Sequence, residues 1–360
     1  MDKKQTLSMI EELSNAPGVS GFEDEAAAVI RAYGAELGAV SEDAMRNVYL
    51  RRRGGEGAGE GPVLMLDAHS DEVGFMVRAI KPNGMLEFIT LGGWTANTIP
   101  AHKVLVRNMD GKYIPGIVAT KPPHYQSEVE RKAALEISGM VIDIGAVSAR
   151  EVREEYRISI AAPVVPDVRF EYREAHDIMI GKAFDDRLGC AAVLAVLKEL
   201  SEEKLAVNIT AAFASQEEMG LRGAAVSAQT VKPDIAISFE GCPADDTVLE
   251  NYAVQTAIKR GPMLRHIDAR MVTNPRFMRF ALDIAAQKHI PVQEAVRTGG
   301  ATNGGVIHLI GKAVPVIVIG IPARYIHTHH AIASYSDFEN SVNLAREVIR
   351  GLNASIISGF

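Results

Sequence analysis

Cysteine is scarce in this sequence, and long apolar runs are missing from it. Cys190 and Cys242 are the only two cysteines among 360 residues, too few for a disulfide framework or a thiolate metal site. No uninterrupted apolar run reaches the roughly 18 residues that a membrane-spanning helix needs, and the opening MDKKQTLSMIEELSNAPG lacks the apolar core of a signal peptide. We therefore expect a cytoplasmic protein with two buried thiols and no membrane partner.

An excess of positive charge is also absent. The chain carries 38 Lys and Arg residues against 45 Asp and Glu residues, a formal net charge of -7. An acidic surface is unfavourable for nucleic acid or an anionic membrane, so we expect neither as the main partner. The composition, with 47% hydrophobic residues, is that of a globular protein. Because 360 residues exceed the roughly 250 to 300 that one core accommodates, two domains are predicted.

The outer parts of the sequence alternate between helix-like and strand-like segments. Two amphipathic helices are predicted within SMIEELSNAPGVSGFEDEAAAVIRAYGAELG, separated at Pro17 and Gly18, with Ser20 at the entry to the second. A flexible loop, GGEGAGEGP, follows. Later, the apolar strands AVNITAAFA, PDIAISFE and AVPVIVIGI alternate with helices such as CAAVLAVLKELSEE. This alternation predicts an α/β domain, formed by residues 1–72 and 166–360, with a mixed, mostly parallel sheet flanked by helices.

The middle of the sequence has a different pattern. Between residues 73 and 165, short alternating runs are separated by Gly, Pro and Asn, and MDG within VLVRNMDGKYIPGIVAT is a hairpin signal. These features predict a small all-β domain inserted into the α/β domain.

Acids and histidines collect where the predicted apolar strands stop. The carboxyl ends of parallel strands share one edge of a sheet, where ligands bind. Oxygen and imidazole ligands without thiolates suit Zn, Mn or Co, and a carboxylate-rich set suits two ions with a bridging carboxylate. The candidates are Asp67, His69, Asp71 and Glu72 after one strand, Glu217 and Glu218, Glu240, and His327, His329 and His330 after three others, and Asp185 and Asp186 at the start of a helix.

Most of these residues also have a purely structural interpretation. Asp185 or Asp186 could cap a helix, Glu217 and Glu218 could be first-turn acids, and His69 could be a core histidine. The histidines of HTHH could lie in a solvated loop. Glu240 is harder to explain, because an acid that ends a buried strand needs a partner. GGATNGG lacks the lysine of a phosphate loop and is interpreted as a turn near the site.

Eight motifs together resemble one family across nearly the whole chain. APGVSGFE, DAHSDEVGF, LGGW, KPPH, IDIGA, GKAFDDRLG, QEEMGLRG and PARYIH are similar to the cytoplasmic dinuclear-metal aminopeptidases of clan MH. That family includes the glutamyl, deblocking and tetrahedral aminopeptidases, and some of its relatives are labelled endoglucanase. The resemblance implies a phosphorylase/hydrolase-like peptidase fold with an inserted barrel-like β domain that builds oligomers up to a tetrahedral dodecamer.

The resemblance also implies roles for individual residues. Two divalent ions, Zn or Co with Mn as an alternative, would activate a water molecule for removal of N-terminal residues from short peptides. It selects His327 over His329 and His330. The implied set is His69, Asp185 and Glu240 for one ion, Asp185, Glu218 and His327 for the other, Glu217 as general base, and Asp71 as the acid that orients His69.

Two departures from the family motif leave other functions open. Glu240 stands where many relatives carry Asp, and Asn303 stands where relatives often have Asp. A metal-binding or peptide-binding scaffold without catalysis is therefore one alternative. A glycoside hydrolase is a weaker one, because adjacent Glu217 and Glu218 do not naturally flank a sugar bond across the roughly 5 to 9.5 Å that such enzymes use.

Overall fold

The computed structural model describes residues 2–52 and 61–360. The predicted flexible loop GGEGAGEGP therefore lies mostly outside the described residues. Ten α-helices occur in the described part of the chain: α1 (Lys3–Asn15), α2 (Asp24–Gly34), α3 (Glu128–Lys132), α4 (Ala149–Glu154), α5 (Phe184–Glu199), α6 (Arg222–Val231), α7 (Pro275–Lys288), α8 (Gly304–Ile307), α9 (Tyr335–Gly351) and α10 (Ala354–Ile357).

The strands divide between a large sheet and a barrel. Eleven strands form the sheet: β1 (Gly38–Glu42), β2 (Val48–Arg52), β3 (Val63–His69), β10 (Glu171–Arg173), β11 (Ile178–Gly181), β12 (Asn208–Ala214), β13 (Ile235–Pro243), β14 (Met263–Ile267), β15 (Gln293–Val296), β16 (Val316–Arg324) and β17 (Ala331–Ser334). The barrel consists of β4 (Gly74–Ile80), β5 (Leu86–Leu91), β6 (Lys103–Arg107), β7 (Tyr113–Ala119), β8 (Val141–Asp143) and β9 (Pro163–Pro166).

The centre of the large sheet is parallel. Its strand order is β1-β2-β12-β3-β13-β16-β17-β11-β10, and β14 pairs with β16 and β15. Strands β12, β3, β13 and β16 run in the same direction, whereas the outer neighbours on this path pair antiparallel. The register places His69 beside Ala214, and Asp67 beside Ser238. The strand ends that carry the candidate residues therefore meet at one edge, and the predicted mixed sheet is confirmed.

Helix α5 forms the centre of the α/β core. Every residue from Phe184 to Leu197 is buried, and the helix packs on β3 and β13 and between α1 and α9. A helix that is apolar on all sides is stable only when it is enclosed, and each fully buried Val or Leu contributes about 1.5–3 kcal/mol. This burial fixes the start of α5, and with it Asp185, against the sheet.

The inserted β domain is a closed barrel. Its interior is filled by apolar residues such as Phe75, Val104 and Val118, and closure leaves no strand edge unpaired. MDG forms the predicted hairpin between β6 and β7, where the Asn108 side chain accepts hydrogen bonds from the N–H groups of Asp110 and Lys112 at 3.0 and 2.9 Å. The segment also contains α3 and α4, which the alternating pattern did not predict. The boundaries at residues 72/73 and 165/166 stay a prediction.

Ser20 does not begin the second helix. Helix α2 starts at Asp24 after Glu23, which makes no side-chain capping bond. The Ser20 hydroxyl instead donates to Asp71 Oδ2 at 2.6 Å, so the loop between α1 and α2 is tied to the end of β3. None of the helices in residues 2–52 and 61–360 is long and apolar enough to cross a membrane.

Candidate metal centre

Six of the predicted residues meet at the carboxyl edge of the parallel strands. His69 ends β3, the two glutamates follow β12, and the other three come from α5, from β13 and from the turn after β16. We call these residues the rim cluster: His69, Asp185, Glu217, Glu218, Glu240 and His327.

Asp185 lies between the two histidines of the rim cluster. Its Oδ1 is 3.0 Å from His69 Nε2, and its Oδ2 is 3.3 Å from His327 Nε2. His327 Nε2 is also 3.5 Å from Glu218 Oε1. Each carboxylate oxygen of Asp185 thus faces a different histidine, which is the arrangement of a bridging carboxylate.

The ligand atoms are close enough to surround ions. Within the described residues, three groups have ligand atoms that all lie within 4.8 Å of one another. Two of them share Asp185, and the third combines both adjacent glutamates with His69. The groups are His69, Asp185 and Glu240; Asp185, Glu218 and His327; and His69, Glu217 and Glu218.

Two buried oxygens of the rim cluster have no hydrogen-bond donor in the described part of the chain. These atoms are Glu218 Oε1 and Glu240 Oε2. A buried carboxylate oxygen without a partner is costly, and a divalent cation would remove that cost. The donor set of carboxylate oxygens and imidazole nitrogens, with no thiolate, fits Zn, Co or Mn. The residues present therefore fit a pair of metal ions.

The three glutamates of the rim cluster resist ionisation in the metal-free protein. Burial, with the charge of Asp185 among the further causes, raises the pKa of Glu217 and of Glu218 to about 8. Burial and the charges of Asp185 and Glu217 raise the pKa of Glu240 well above its ordinary value. Protons thus occupy part of a site whose negative charge two dications would otherwise balance.

The same negative charges favour the protonated, charged form of the two histidines. Burial disfavours the His327 imidazolium, but the carboxylates of Asp185 and Glu218 outweigh it and raise the pKa of His327 to about 10. The pKa of His69 is likewise raised well above its ordinary value, because Glu217 and Asp185 overcome its burial. Despite its burial, the pKa of Asp185 is lowered by its hydrogen bonds to His327 and His69.

Asp71 connects His69 to the turn that carries the two glutamates. Its Oδ1 accepts the Glu217 N–H at 2.9 Å, and its Oδ2 accepts the Glu218 N–H at 3.2 Å and the Ser20 hydroxyl at 2.6 Å. His69 Nδ1 lies 3.4 Å from Asp71 Oδ1 and 3.2 Å from its carbonyl oxygen. An imidazole held at Nδ1 in this way would have Nε2 free to bind an ion once Nε2 has lost its proton.

His327 is oriented by the inserted segment. Its Nδ1 lies 2.9 Å from the carbonyl oxygen of Gly93, within the LGGW motif that follows β5. Its Nε2 faces Asp185 and Glu218, so both histidines of the rim cluster are held through Nδ1 and direct Nε2 at carboxylates. The inserted β domain therefore contributes directly to the centre.

The carboxylates of the two aspartates at the start of α5 have different partners. The Asp186 carboxylate accepts the Gly189 N–H at 3.0 Å and the His69 N–H at 3.2 Å, so the capping interpretation suits Asp186. Asp185 faces the histidines instead. A non-proline cis peptide bond joins the two residues.

Arg187 attaches the N-terminal segment to the centre. Its guanidinium is 1% exposed and donates to the carbonyl oxygens of Ser70, Leu13 and Ala16 at 2.6–2.9 Å and to that of Gly18 at 3.3 Å. Backbone acceptors thus satisfy this buried cation, and the segment between α1 and α2 is held beside the end of β3.

Two acids that end β3 or follow it do not join the rim cluster. Asp67 accepts the Ser238 hydroxyl at 2.8 Å and the Asn303 side-chain amide at 3.3 Å, and burial raises its pKa to about 6. Glu72 binds Lys182 Nζ at 2.6 Å. Both acids therefore bind neighbouring polar side chains near the end of β3 and are not available to the rim cluster.

His329 lies outside the rim cluster. Its ring stacks on His102 with centroids 4.1 Å apart and lies 5.0 Å from the Trp94 ring. Burial and the neighbouring histidines lower its pKa to about 3. His330 is exposed beside His102.

A cavity of about 530 Å³ opens beside the rim cluster. Its lining includes Gly299, Gly300 and Ala301, in agreement with the prediction of a turn near the site. Its lining also includes three arginines that the sequence analysis missed, Arg265, Arg270 and Arg297. The segments MLRHIDARM and AVRTGG could have indicated these arginines. In each of them a basic residue lies on or after a strand that flanks this edge of the sheet.

Known proteins resemble this chain along almost its entire length. The model of the M42 glutamyl aminopeptidase family matches residues 47–344. FrvX of Escherichia coli (strain K12) is 31% identical over 356 residues, which cover 98% of both chains. The lysyl aminopeptidase of Pyrococcus furiosus is 27% identical over 354 residues and 96% of both chains.

Several solved structures also resemble this chain along almost its entire length. The TET aminopeptidase of Thaumarchaeota archaeon SCGC AB-539-E09 is 34% identical, with a TM-score of 0.94 over 99% of both chains. A Thermotoga maritima protein described as an endoglucanase is 28% identical, with a TM-score of 0.77 over 97% of this chain and 98% of its own. PhTET1, described as a dodecamer, shares the fold at 24% identity and a TM-score of 0.84, over 98% of this chain and all of its own. The chain therefore belongs to the M42 glutamyl aminopeptidase family and is a metallo-aminopeptidase, a hydrolase of peptide bonds.

Proposed function

We propose that the rim cluster holds two divalent ions and that Glu217 acts as the general base in the removal of N-terminal residues from short peptides. In this proposal Asp185 would contribute to both ligand sets. His69 and Glu240 complete one ligand set, and Glu218 and His327 complete the other.

The observation that carries the proposal is the position of Asp185 between two histidines. A carboxylate that merely capped α5 would face the helix N–H groups, as Asp186 does. Asp185 instead directs one oxygen at His69 and the other at His327. The unpartnered oxygens of Glu218 and Glu240 support the same assignment from the two sides.

When bound, two divalent ions supply Lewis acidity to the scissile carbonyl oxygen and make a water molecule acidic enough to lose a proton near neutral pH. Glu217 accepts that proton and passes it to the leaving amine. Asp71 fixes the backbone of Glu217 and the imidazole of His69, and it is therefore a positioning residue.

A carboxylate-rich cavity also suits a free α-amine. When it leaves water, a free α-amine needs a divalent ion if it is neutral or a carboxylate of the cavity lining if it is protonated. A peptide with a blocked amine loses this anchor. We therefore expect an exopeptidase that requires a free N-terminus.

We further propose that residues 73–165 form a separate domain that contacts other copies of the chain. Large apolar side chains in this segment face solvent, among them Tyr125 and Val129, which are 75% and 79% exposed. Apolar patches of this kind often mark interaction surfaces. A dodecamer like that described for PhTET1 would have about twelve times the chain's mass of 38.8 kDa, which light scattering measures directly.

The test is hydrolysis of aminoacyl p-nitroanilides with free and acetylated amines, in the presence of Zn, Co or Mn. Cleavage of free amines alone, abolished by a chelator and by Glu217→Gln, is expected. Two bound ions per chain without any cleavage would favour a non-catalytic scaffold. Hydrolysis of a cellulosic substrate that survives the chelator would favour the glycoside hydrolase.

A further inference from the structure

We propose that Glu23 is a positioning residue for the reaction and that it acts through the backbone of Glu217. This inference rests on the proposed function, because it takes Glu217 as the general base. Glu23 lies directly before α2 and is 1% exposed. In the described part of the chain it belongs neither to the cavity lining nor to a group of candidate metal ligands. Its effect on catalysis must therefore pass through a neighbour.

The two adjacent glutamates of the rim cluster stand on a turn that side chains of other segments hold. We call residues 215–218 the glutamate turn. Each of its four N–H groups donates to a side-chain oxygen: Ser215 to Asn47 Oδ1 at 2.9 Å, Gln216 to Glu23 Oε1 at 3.1 Å, Glu217 to Asp71 Oδ1 at 2.9 Å, and Glu218 to Asp71 Oδ2 at 3.2 Å. Side chains from three separate segments thus fix four successive peptide groups.

Gln216 is the residue of the glutamate turn that most needs such support. Its φ of 50° is left-handed, which is unfavourable for residues with a Cβ. A conformation of this kind persists when the surrounding contacts over-determine it. The Gln216 N–H is bound by Glu23, and its carbonyl oxygen accepts the Arg222 N–H at 3.2 Å. Because Gln216 directly precedes Glu217, a change in its backbone angles moves the general base.

The side chain of Glu23 does little for its own segment. It makes no capping bond to α2, which begins directly after it. Its Oε1 accepts the Gly21 N–H at 2.8 Å besides that of Gln216, whereas its buried Oε2 has no donor among the described residues. Burial and the charge of Asp71 raise its pKa to about 7. A buried carboxylate with one unpartnered oxygen costs stability, so the contribution of Glu23 lies in the contacts of Oε1.

Asp71 cannot take over the contact with Gln216. Its two carboxylate oxygens already accept the N–H groups of Glu217 and Glu218, and one of them also accepts the Ser20 hydroxyl. Without Glu23 Oε1, the Gln216 N–H loses its acceptor at a residue whose backbone is already unfavourable. Relaxation of that backbone towards an ordinary φ would rotate the peptide group that leads into Glu217.

The experiment separates the acceptor oxygen of Glu23 from its charge by three substitutions. Glu23→Gln keeps an oxygen at the same reach without the charge, Glu23→Asp keeps the charge on an arm one methylene shorter, and Glu23→Met keeps neither. Steady-state kinetics of the metal-loaded protein measures kcat and KM for the aminoacyl p-nitroanilide that the wild type cleaves best. Misplacement of a reacting group by 1 Å costs about 10²-fold. We expect Glu23→Asp and Glu23→Met to lower kcat by about ten- to a hundredfold with a smaller change in KM, and Glu23→Gln to stay close to wild type.

A double-mutant cycle tests whether Glu23 acts through Glu217. Glu23→Met should lower kcat far less in the Glu217→Gln background than in the wild-type background, because the base that Glu23 positions is then already absent. A role in general stability would produce the same fold loss in both backgrounds. Elemental analysis of each variant should still find the ion content of its parent.

Glu25→Met is the matched control. Glu25 lies two residues further along the chain, and its Oε1 accepts the Tyr113 hydroxyl at 2.9 Å instead of an N–H group of the glutamate turn. This variant should keep the wild-type kcat. Thermal unfolding establishes which variants are folded, and if Glu23→Met is not, the comparison of Glu23→Gln with Glu23→Asp decides.

The outcomes separate this inference from the proposed function. Three results would overturn the inference while the aminopeptidase proposal stands: wild-type kcat in Glu23→Asp and Glu23→Met, a loss in Glu23→Gln as large as that in Glu23→Asp, or equal fold losses in the two backgrounds of the cycle. If the wild type cleaves nothing, the proposed function fails, and hydrogen exchange of a peptide that contains residues 215–218 decides about Glu23. Faster exchange in Glu23→Asp and Glu23→Met than in Glu23→Gln supports its hold on the glutamate turn, whereas equal exchange overturns it.

Discussion

His327 and His329 are separated by one residue, but their surroundings differ completely. The His327 side chain is 38% exposed and faces the carboxylates of Asp185 and Glu218, which raise its pKa to about 10. His329 is 1% exposed, stacks on His102, and has a pKa lowered to about 3 by burial and by neighbouring histidines. Neither ring nitrogen of His329 has a hydrogen-bond partner among the described residues.

The comparison shows that the pKa of a histidine depends on the groups that its ring faces. At His327 the chain turns with a left-handed backbone, φ 58°, and directs the ring at the rim cluster. By His329 the chain has turned towards Trp94 and Phe75 near the barrel. One histidine belongs to a cluster of charged groups, and the other belongs to an aromatic stack. The following predictions test this contrast.

The largest effect is expected on the charged side, at Glu217. Glu217→Gln removes the proposed proton acceptor but keeps the shape of the side chain. General base catalysis contributes about 10²–10⁴-fold, so kcat should fall by that factor. Steady-state kinetics measures the fall, and elemental analysis should still find two ions per chain. A variant that retains more than a tenth of the wild-type kcat would contradict the assignment.

The two histidines form a matched pair of substitutions. His327→Ala should reduce the bound metal from two ions to one and abolish most activity, because it removes a ligand. His329→Ala should keep both ions. It should lower the free energy of unfolding by about 1–2 kcal/mol, because the stacked ring is lost while two unpaired buried nitrogens are also removed. Metal analysis and denaturant unfolding distinguish the two variants. Loss of metal in His329→Ala would contradict the assignment of His327 alone to the metal centre.

A smaller effect is expected from a change at Ser20, whose hydroxyl binds Asp71 beside the rim cluster. Ser20→Ala removes the hydroxyl that donates to Asp71. Loss of a group that orients a ligand partner typically reduces activity or metal affinity at least about tenfold, and we expect an effect of about that size on kcat/KM. Ser8→Ala on α1, an exposed serine whose hydroxyl lies 3.5 Å from Glu12 Oε1, is the control. Equal kinetics for both variants would show that the Ser20 contact does not position the centre.

The smallest effect is expected on thermal stability after metal removal. Burial raises the pKa of Glu217 and Glu218 from 4.5 to about 8 in the folded, metal-free protein. Between these values the folded state binds more protons than the unfolded state, so stability falls as pH rises. We expect the Tm of chelator-treated protein to fall by several degrees from pH 5 to pH 8.

The metal-loaded protein provides the comparison for this prediction. Its Tm should be higher at pH 8 and should vary less across the same range, since cations rather than protons then balance the carboxylates. Calorimetric scans at several pH values measure both curves. A metal-free protein that becomes more stable towards pH 8 would mean that the carboxylates are not held together as described.

Much of the fold was predictable because its signals are local. The apolar strands β3, β12, β13 and β16 and the apolar helix α5 have patterns that burial on both faces demands. The hairpin at MDG follows from turn chemistry alone. The short helices α3 and α4 were not predicted, because five or six residues are too few to show a helical period of apolar residues.

The site was predictable only in part, because its remaining members depend on tertiary contacts. Acids at the ends of parallel strands predict a shared edge, which brings Glu240 and His69 together. No local pattern shows that Ser20 reaches Asp71, since the two lie 51 positions apart. The contact of His327 with Gly93 spans 234 positions. The arginines that line the cavity were missed because tertiary contacts such as the pairing of β14 with β16 bring them to it.

The spread of the rim cluster along the chain also has a kinetic consequence. His69 and Asp185 are 116 positions apart, with the whole barrel between them, and His327 comes later still. Contacts between such distant segments form slowly, because a long loop must close before they stabilise anything. No fragment that lacks either side of the barrel contains all six residues, so the rim cluster forms only when both parts of the α/β domain have come together. Formation of the rim cluster therefore depends on long-range assembly of the sheet edge and not on any one local segment.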